Sequence, residues 1–270
     1  MKLVIAPGLA ATNYWRDVWH YRELLYFLAW RDLAVRYKQT VIGVAWALLR
    51  PAITMLVFVA FRRLVDVAPG SVPEPLLIFA AVLPWQLFSS ALSEASGSLV
   101  GNASLISKVY FPRLLIPAAS VATAFVDFLI TLGLLAVLMV WYGVAPGPTM
   151  LALPVFVLLA CGLALGLGLF LAALNVVYRD FRYVVPFIVQ VGLFVSPIAF
   201  TTARMPDRWR AVYVLNPLVG IIDGFRWSVL GPQSPIDARS VWMSAAVTAA
   251  ALVLGVWYFR RVERRFADVI

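Results

Sequence analysis

Six apolar blocks constrain this chain more than any other feature. They run over residues 41–61, 76–93, 114–142, 151–177, 184–201 and 241–259, the second able to continue to Val100. Runs of about 18 to 25 such residues are what a helix needs to cross roughly 30 Å of hydrocarbon. The third and fourth blocks are long enough to tilt or to outreach the bilayer. Composition agrees: 63% of the residues are hydrophobic and 13% are charged, against about 25% charged in soluble domains. The expected fold is all-α, a polytopic membrane protein with six transmembrane helices. Pro51, Pro84, Pro117, Pro154, Pro186 and Pro197 fall within or at the ends of these spans, where neighbouring helices re-satisfy the freed backbone.

The formal charge is +9, but its placement points away from nucleic acid. Lys38, Lys108, Arg113, Arg179, Arg182 and the run Arg260, Arg261, Arg264, Arg265 flank apolar spans, as cytoplasmic anchors against anionic lipid do. With the N-terminus inside, 14 of the 22 Lys and Arg residues fall on the cytoplasmic side. Seven (Arg62, Arg63, Arg204, Arg208, Arg210, Arg226 and Arg239) fall outside, and Arg50 lies in a span. The expectation is that both termini are cytoplasmic. Met1–Ala11 is apolar but short, with no small-residue cleavage site after it, so a retained N-terminus is expected. Cys161 is the single cysteine and sits in an apolar span as a small core residue, which excludes an intramolecular disulfide and a cysteine metal site.

Two segments outside the spans carry their own pattern. Over Tyr14–Thr40, Trp15, Val18, Trp19, Tyr26, Trp30, Leu33 and Tyr37 share one helical side, while Arg16, His20, Glu23, Arg31 and Lys38 gather on another. An N-terminal amphipathic helix in the membrane interface is expected there. This divides the chain into residues 1–40, a cytoplasmic N-terminus with its interfacial helix, and residues 41–270, a single transmembrane domain. Between spans five and six, Thr202–Ser240 holds a second apolar stretch, Val212–Leu230, broken by Asn216-Pro217 and Gly224 and carrying Asp223 and Arg226. Two short external re-entrant helices are expected, since such backbone at membrane depth has to be buried in protein or line a wet cavity. In span four, Gly162, Gly166 and Gly168 with Ala160 and Ala164 give a small-residue face for close helix packing.

The chain carries no phosphate loop, no HExxH and no GxSxG, and His20 is its one histidine. The halves show no internal repeat of the kind secondary transporters use. Ionisable groups within spans are the functional candidates. Arg50 stands near mid-depth of the first span, Glu94 near the end of the second and Asp127 deep in the third. Arg50 either pairs with one of these carboxylates and pins helices together, or faces a wet pathway. Trp46, Phe58 and Phe194 are among the aromatics able to stack on sugar rings, or simply to pack.

The stretch LLYFLAWRDLAVRYKQTVIGVAWALLRPAITM, Leu24–Met55, resembles the N-terminal signature of type 2 ABC exporter permeases for polysaccharides such as O-antigen, capsule and teichoic acid. Asn102–Ser120 is similar to that family's cytoplasmic coupling region, Asn175–Phe200 to its fourth loop and fifth span, and Leu215–Gly231 to its external re-entrant segment. Arg50 is a departure, because the family commonly has a neutral residue, often Gln, before this proline.

The resemblance implies the transmembrane subunit of an ATP-driven exporter of polyprenyl-pyrophosphate-linked polysaccharide in a bacterial inner membrane, serving lipopolysaccharide biosynthesis. Such permeases work as homodimers with two copies of a separate ATPase, which binds ATP and magnesium; no cofactor is expected in this chain. The expected substrate pathway involves Arg31, Arg36, Lys38, Trp46, Arg50, Phe58 and Phe194. Contact with the ATPase is expected at Ser104, Ser107, Lys108 and Tyr110 in a helix over Ala103–Phe111, and an external gate at Asn216, Pro217, Asp223 and Arg226. The competing readings are a drug or small-lipid exporter of the same superfamily and a multispan membrane acyl- or glycosyltransferase.

Overall fold

The computed structural model describes residues 14–38, 43, 45–65, 72–178, 180–202, 209, 212–263 and 266, and every regular element among them is helical. Lys2, Arg179, Arg204, Arg208, Arg210, Arg264 and Arg265, and most of the first of the two expected external helices, lie outside the described residues. In chain order the helices are α1 (Tyr14–His20), α2 (Arg22–Lys38), α3 (Ala45–Leu64), α4 (Glu74–Gly101), α5 (Ala103–Lys108) and α6 (Leu115–Trp141). A 3₁₀ turn (Pro148–Ala152) then leads into α7 (Leu153–Val177), followed by α8 (Phe181–Val195), α9 (Pro217–Leu230) and α10 (Ala238–Val262). Pro75, Pro154 and Pro217 sit in the first turns of α4, α7 and α9, where the missing N–H has no intrahelical partner to lose.

Among the described residues, five helical units are long and apolar enough to cross a membrane: α3, α4, α6, Pro148–Val177 and α10. The fifth expected span, 184–201, differs. Its helix α8 has 15 residues, about 22 Å of rise, and it stops at Val195. Ser196, at ψ 152°, is extended, as a residue before proline prefers. Beyond Ser196 the backbone to Phe200 runs through turns and bends. Val176, at the end of α7, shares a cluster with Leu99 and Ile106 at the α5 end of the bundle, whereas the carbonyl of Ile198 is held beside Leu77, near the start of α4.

Helix α4 is the axis of the molecule. Leu76, Ile78, Phe79, Leu83, Leu92 and Leu99 on it are fully buried, and α6 and α7 flank it while α10 packs on the far side of α7. The α7–α10 crossing is backbone on backbone. A Cβ at Gly166 would lie 2.5 Å from the Ala251 carbonyl carbon, and one at Gly255 would lie 2.1 Å from the Gly166 oxygen. The small-residue face expected in span four is thus in use, with Gly168 against Ala95 of α4. α9 is wedged into the opposite end: Ser240 backbone presses on Gly220 and the Phe156 ring on Gly224.

The expected N-terminal helix is two helices, broken at Tyr21. Trp15, Trp19, Tyr26 and Trp30 point outward, as interfacial aromatics do. Leu28 turns inward to a second core with Ile106, Phe111, Leu115, Phe259 and Phe266. That core brings the first helices, α5 and the last described residue to one end of the bundle.

Candidate functional site

Helix α2 descends from the rim of this end into the bundle. Arg31 Nη2 donates to Asn102 Oδ1 at the end of α4, 2.8 Å away. Five residues later Arg36 Nη2 donates to Glu94 Oε1 at 2.8 Å and Nη1 to Asp127 Oδ2, while Tyr37 OH donates to the other Asp127 oxygen. Glu94 stands seven residues inside the end of α4 and Asp127 twelve inside the start of α6, about 10 and 18 Å by helical rise. One guanidinium therefore serves carboxylates from two helices, the arrangement that makes ionised groups tolerable at depth. Burial, reinforced by the bond to Asp127, pushes the Tyr37 phenol upward, so it remains a donor.

Beside this triad a cavity of about 390 Å³ opens between α2, α3, α4 and α6. Its walls are Arg36, Tyr37, Gly43, Trp46, Ala47, Arg50, Gln86, Leu87, Ser90, Glu94, Ala124, Asp127, Phe128 and Thr131. The two arginines and two carboxylates cancel formally, so the cavity is polar and not strongly cationic. Arg36 is committed to the triad. Arg50 does not pair with Glu94 or Asp127, because Arg36 occupies both. Among the described residues no carboxylate lies within ion-pair distance of Arg50, so it is the cation the cavity offers to a guest. Trp46 supplies a ring face and Gln86 an amide in the same wall.

Of the expected pathway residues, then, Arg36, Trp46 and Arg50 share one cavity. Arg31 is outside it, bound to Asp32 at 2.7 Å and to Asn102. Lys38 is exposed and not in the wall. Phe58 packs against the main core, and Phe194 is exposed on α8. Sequence reasoning had not marked Tyr37, Gln86, Ser90 or Thr131 as pathway residues. Two carboxylates in spans signalled a missing cation, but hydropathy gives no means of laying the polar α2 against α4 and α6.

Two further groups flank the site. In α5, Ser104, Ser107 and Lys108 are exposed, as is Tyr110 just beyond, while Ile106 is anchored in the second core. At the opposite end Asn216 caps α9 by accepting from Leu218 N–H at 3.0 Å, with Pro217 as its first residue. Asp223 and Arg226 pair with each other at 3.5 Å and are buried. Arg226 also donates to the carbonyls of Leu77 (3.1 Å), Ile198 (2.7 Å) and Phe200 (3.0 Å). Arg62, counted from sequence among the outer charges, is buried as well. It reaches Glu74 at 3.4 Å and the Ala199 carbonyl at 2.8 Å. Two arginines thus hold three consecutive carbonyls of the non-helical segment after α8.

Comparison with known proteins matches this architecture. The pattern of the ABC-2 type transporter family matches residues 23–230. The O-antigen export system permease protein RfbA of Myxococcus xanthus is 29% identical over 258 residues, 94% of this chain and 98% of that protein. A Klebsiella pneumoniae protein of the same description is 24% identical over 251 residues, 92% and 95% of the two chains. A second from that organism is equally similar, at 24% over 251 residues. The match takes in α2, the cavity, α5 and α9 together, and this multi-span chain belongs to the ABC-2 type transporter family as a membrane permease subunit.

Proposed function

We propose that this permease exports a polysaccharide linked to polyprenyl pyrophosphate, as a homodimer driven by two copies of a separate ATPase that bind the ATP and magnesium. In this reading it resides in a bacterial inner membrane with both termini cytoplasmic, residues 41–270 form one transmembrane domain, and 1–40 provide its interfacial helices. The observation that carries the reading is the polar cavity beside α2, with Arg50 as its uncommitted cation and Trp46 as its ring face. A guanidinium pairs with a diphosphate through parallel N–H donors, and a sugar ring packs on an aromatic face. The relatives' description as O-antigen export permeases supports the same substrate class.

The chain's own residues divide the work. α2 positions Arg36 so that Glu94 and Asp127 are neutralised, keeping a wet space between α2, α3, α4 and α6. Arg50 and Trp46 meet the guest. The exposed face of α5 (Ser104, Ser107, Lys108), with Tyr110 beyond it, seats on the ATPase, and Ile106 passes the resulting push to the second core. α9 closes the opposite end, with the Asp223–Arg226 pair as its fastening.

The test is a strain lacking this chain. It should lose surface polysaccharide and accumulate the lipid-linked glycan inside, both restored by the wild-type chain. Arg50→Ala should insert normally and restore export at least tenfold less well, a loss of about 1.4 kcal/mol. Unchanged surface glycan with altered drug sensitivity would reject this reading in favour of a small-molecule exporter. Product formation by the purified chain alone would reject it in favour of a transferase.

A further inference from the structure

The cavity beside α2 leaves a second concave surface unexplained. A groove of about 630 Å³ runs between α1 and the last third of α10, walled by Trp15 on one side and by Leu252, Val256 and Trp257 on the other, and Arg260 and Arg261 close its rim. α10 packs on α7 and α9, so α4 and α7 separate this groove from the α2 cavity. From Leu252 to Arg261 the helix rises about 13 Å, the reach of the upper part of an acyl chain. Trp15 and Trp257 both expose more than half of their surface beside it, in the position of aromatics at headgroup level.

The two guanidiniums are held by stacking and form no ion pair, although the Glu263 carboxylate lies near enough to feel the charge of Arg260. Arg260 stacks over the Tyr14 ring, 4.5 Å from its centroid, and Arg261 over the Trp257 ring at 5.6 Å. Stacking fixes the plane of a guanidinium and leaves its N–H edge free to donate in pairs. Among the described residues no carboxylate lies within ion-pair distance of either. Glu263, the nearest acidic neighbour in sequence, accepts instead from the Arg113 backbone N–H at 2.9 Å, and its carbonyl from the Arg113 side chain at 2.5 Å. Asp17 of α1 sits two residues from Trp15 without an ion pair to either arginine.

We infer that the α1–α10 groove is a binding site for an anionic phospholipid of the bilayer, with one acyl chain along Leu252 and Val256 and the phosphate between Arg260 and Arg261. A phospholipid fits better than a protein segment because the groove joins an apolar floor to two cations at one end, the polarity of a lipid and not of a helix. The site is independent of what the chain exports. Its role is to tie the N-terminal helix, which carries little buried surface of its own, to the final span.

The full-length chain in nanodiscs of equal parts phosphatidylglycerol and phosphatidylcholine, released and examined by native mass spectrometry, tests the site. The wild-type chain should retain phosphatidylglycerol in preference to phosphatidylcholine. Arg260→Gln with Arg261→Gln should weaken that retention about thirtyfold, roughly fivefold for each cation at an anionic surface. Arg239→Gln, at the other end of α10, should change nothing. The double variant should elute as wild type in gel filtration, and Trp15→Ala alone should weaken retention without touching a charge. Equal retention of the two lipids by the wild type, or wild-type retention by the double variant, would overturn the proposal. So would loss of a dimer in the double variant with lipid retention unchanged, which would make the groove a contact between copies of the chain.

Discussion

Arg226 and Arg36 are both cations inside the bundle, and they are held in opposite ways. Arg226 is fully buried and meets three backbone carbonyls and one carboxylate. Arg36 is about one-third exposed, meets two carboxylates from different helices and faces a cavity. Backbone carbonyls cannot be exchanged for a ligand without unmaking the fold around them, whereas side-chain carboxylates at a cavity wall can trade partners. The first arrangement is a fastening, and the second is a place where something can bind.

The comparison breaks most visibly if Arg226 is removed. Arg226→Ala would leave Asp223 buried without its cation and three carbonyls without donors, a loss of about 3–5 kcal/mol. The protein should fail to accumulate in membranes, as read by its yield and melting in detergent. Arg226→Met with Asp223→Leu should recover part of that loss, since the buried charge goes with its partner. Arg62→Ala should follow at about 1–3 kcal/mol, the cost of leaving Glu74 and the Ala199 carbonyl short of a donor.

At the other end the ranking of stability against transport should invert. Glu94→Gln and Asp127→Asn each keep the shape of the site and leave Arg36 one carboxylate, so stability should fall by only about 1 kcal/mol. Export should drop far more, because Arg36 becomes able to trap an anion. A melting loss as large as that of Arg226→Ala would erase the distinction between the two ends. The smallest effect belongs to Arg31→Ala, whose pair with Asp32 is more than one-third exposed on the arginine side. Its stability should change by less than about 1 kcal/mol.

The sequence made the spans legible because hydrocarbon thickness imposes a length and water imposes a charge count. Ser196-Pro197 was visible there too, but not the consequence that α8 stops short and gives way to turns and bends over residues 196–200. That outcome depends on Arg62 and Arg226 supplying donors from positions more than 130 and 20 residues away in the chain. The exposed face of α5 was readable as a short amphiphilic loop. Arg36 was readable as a cation near the membrane, but not as the partner of Glu94 and Asp127, 58 and 91 residues further on. Hydropathy ranks α2 as a surface helix, and only packing against α4 and α6 shows that its second half is inside. Arg50 illustrates the converse. Its depth was apparent, but the sequence left open whether it pairs with a carboxylate or faces a wet pathway, and Arg36 takes both carboxylates.

The crossing of α7 and α10 at Gly166 and Gly255 has a consequence for biogenesis. α10 leaves the ribosome after α7 and α9, and the groove it fills on α7 is floored by backbone at Gly166. Until residues 238–262 are inserted, α7 lacks the partner that meets its backbone at Gly166, and α9 lacks the Ser244 hydroxyl that donates to the Pro217 carbonyl at 2.5 Å. The packing of α7 and α9 is therefore completed only when α10 arrives. A nascent permease stalled before α10 leaves these contacts on α7 and α9 open for membrane quality control to recognise.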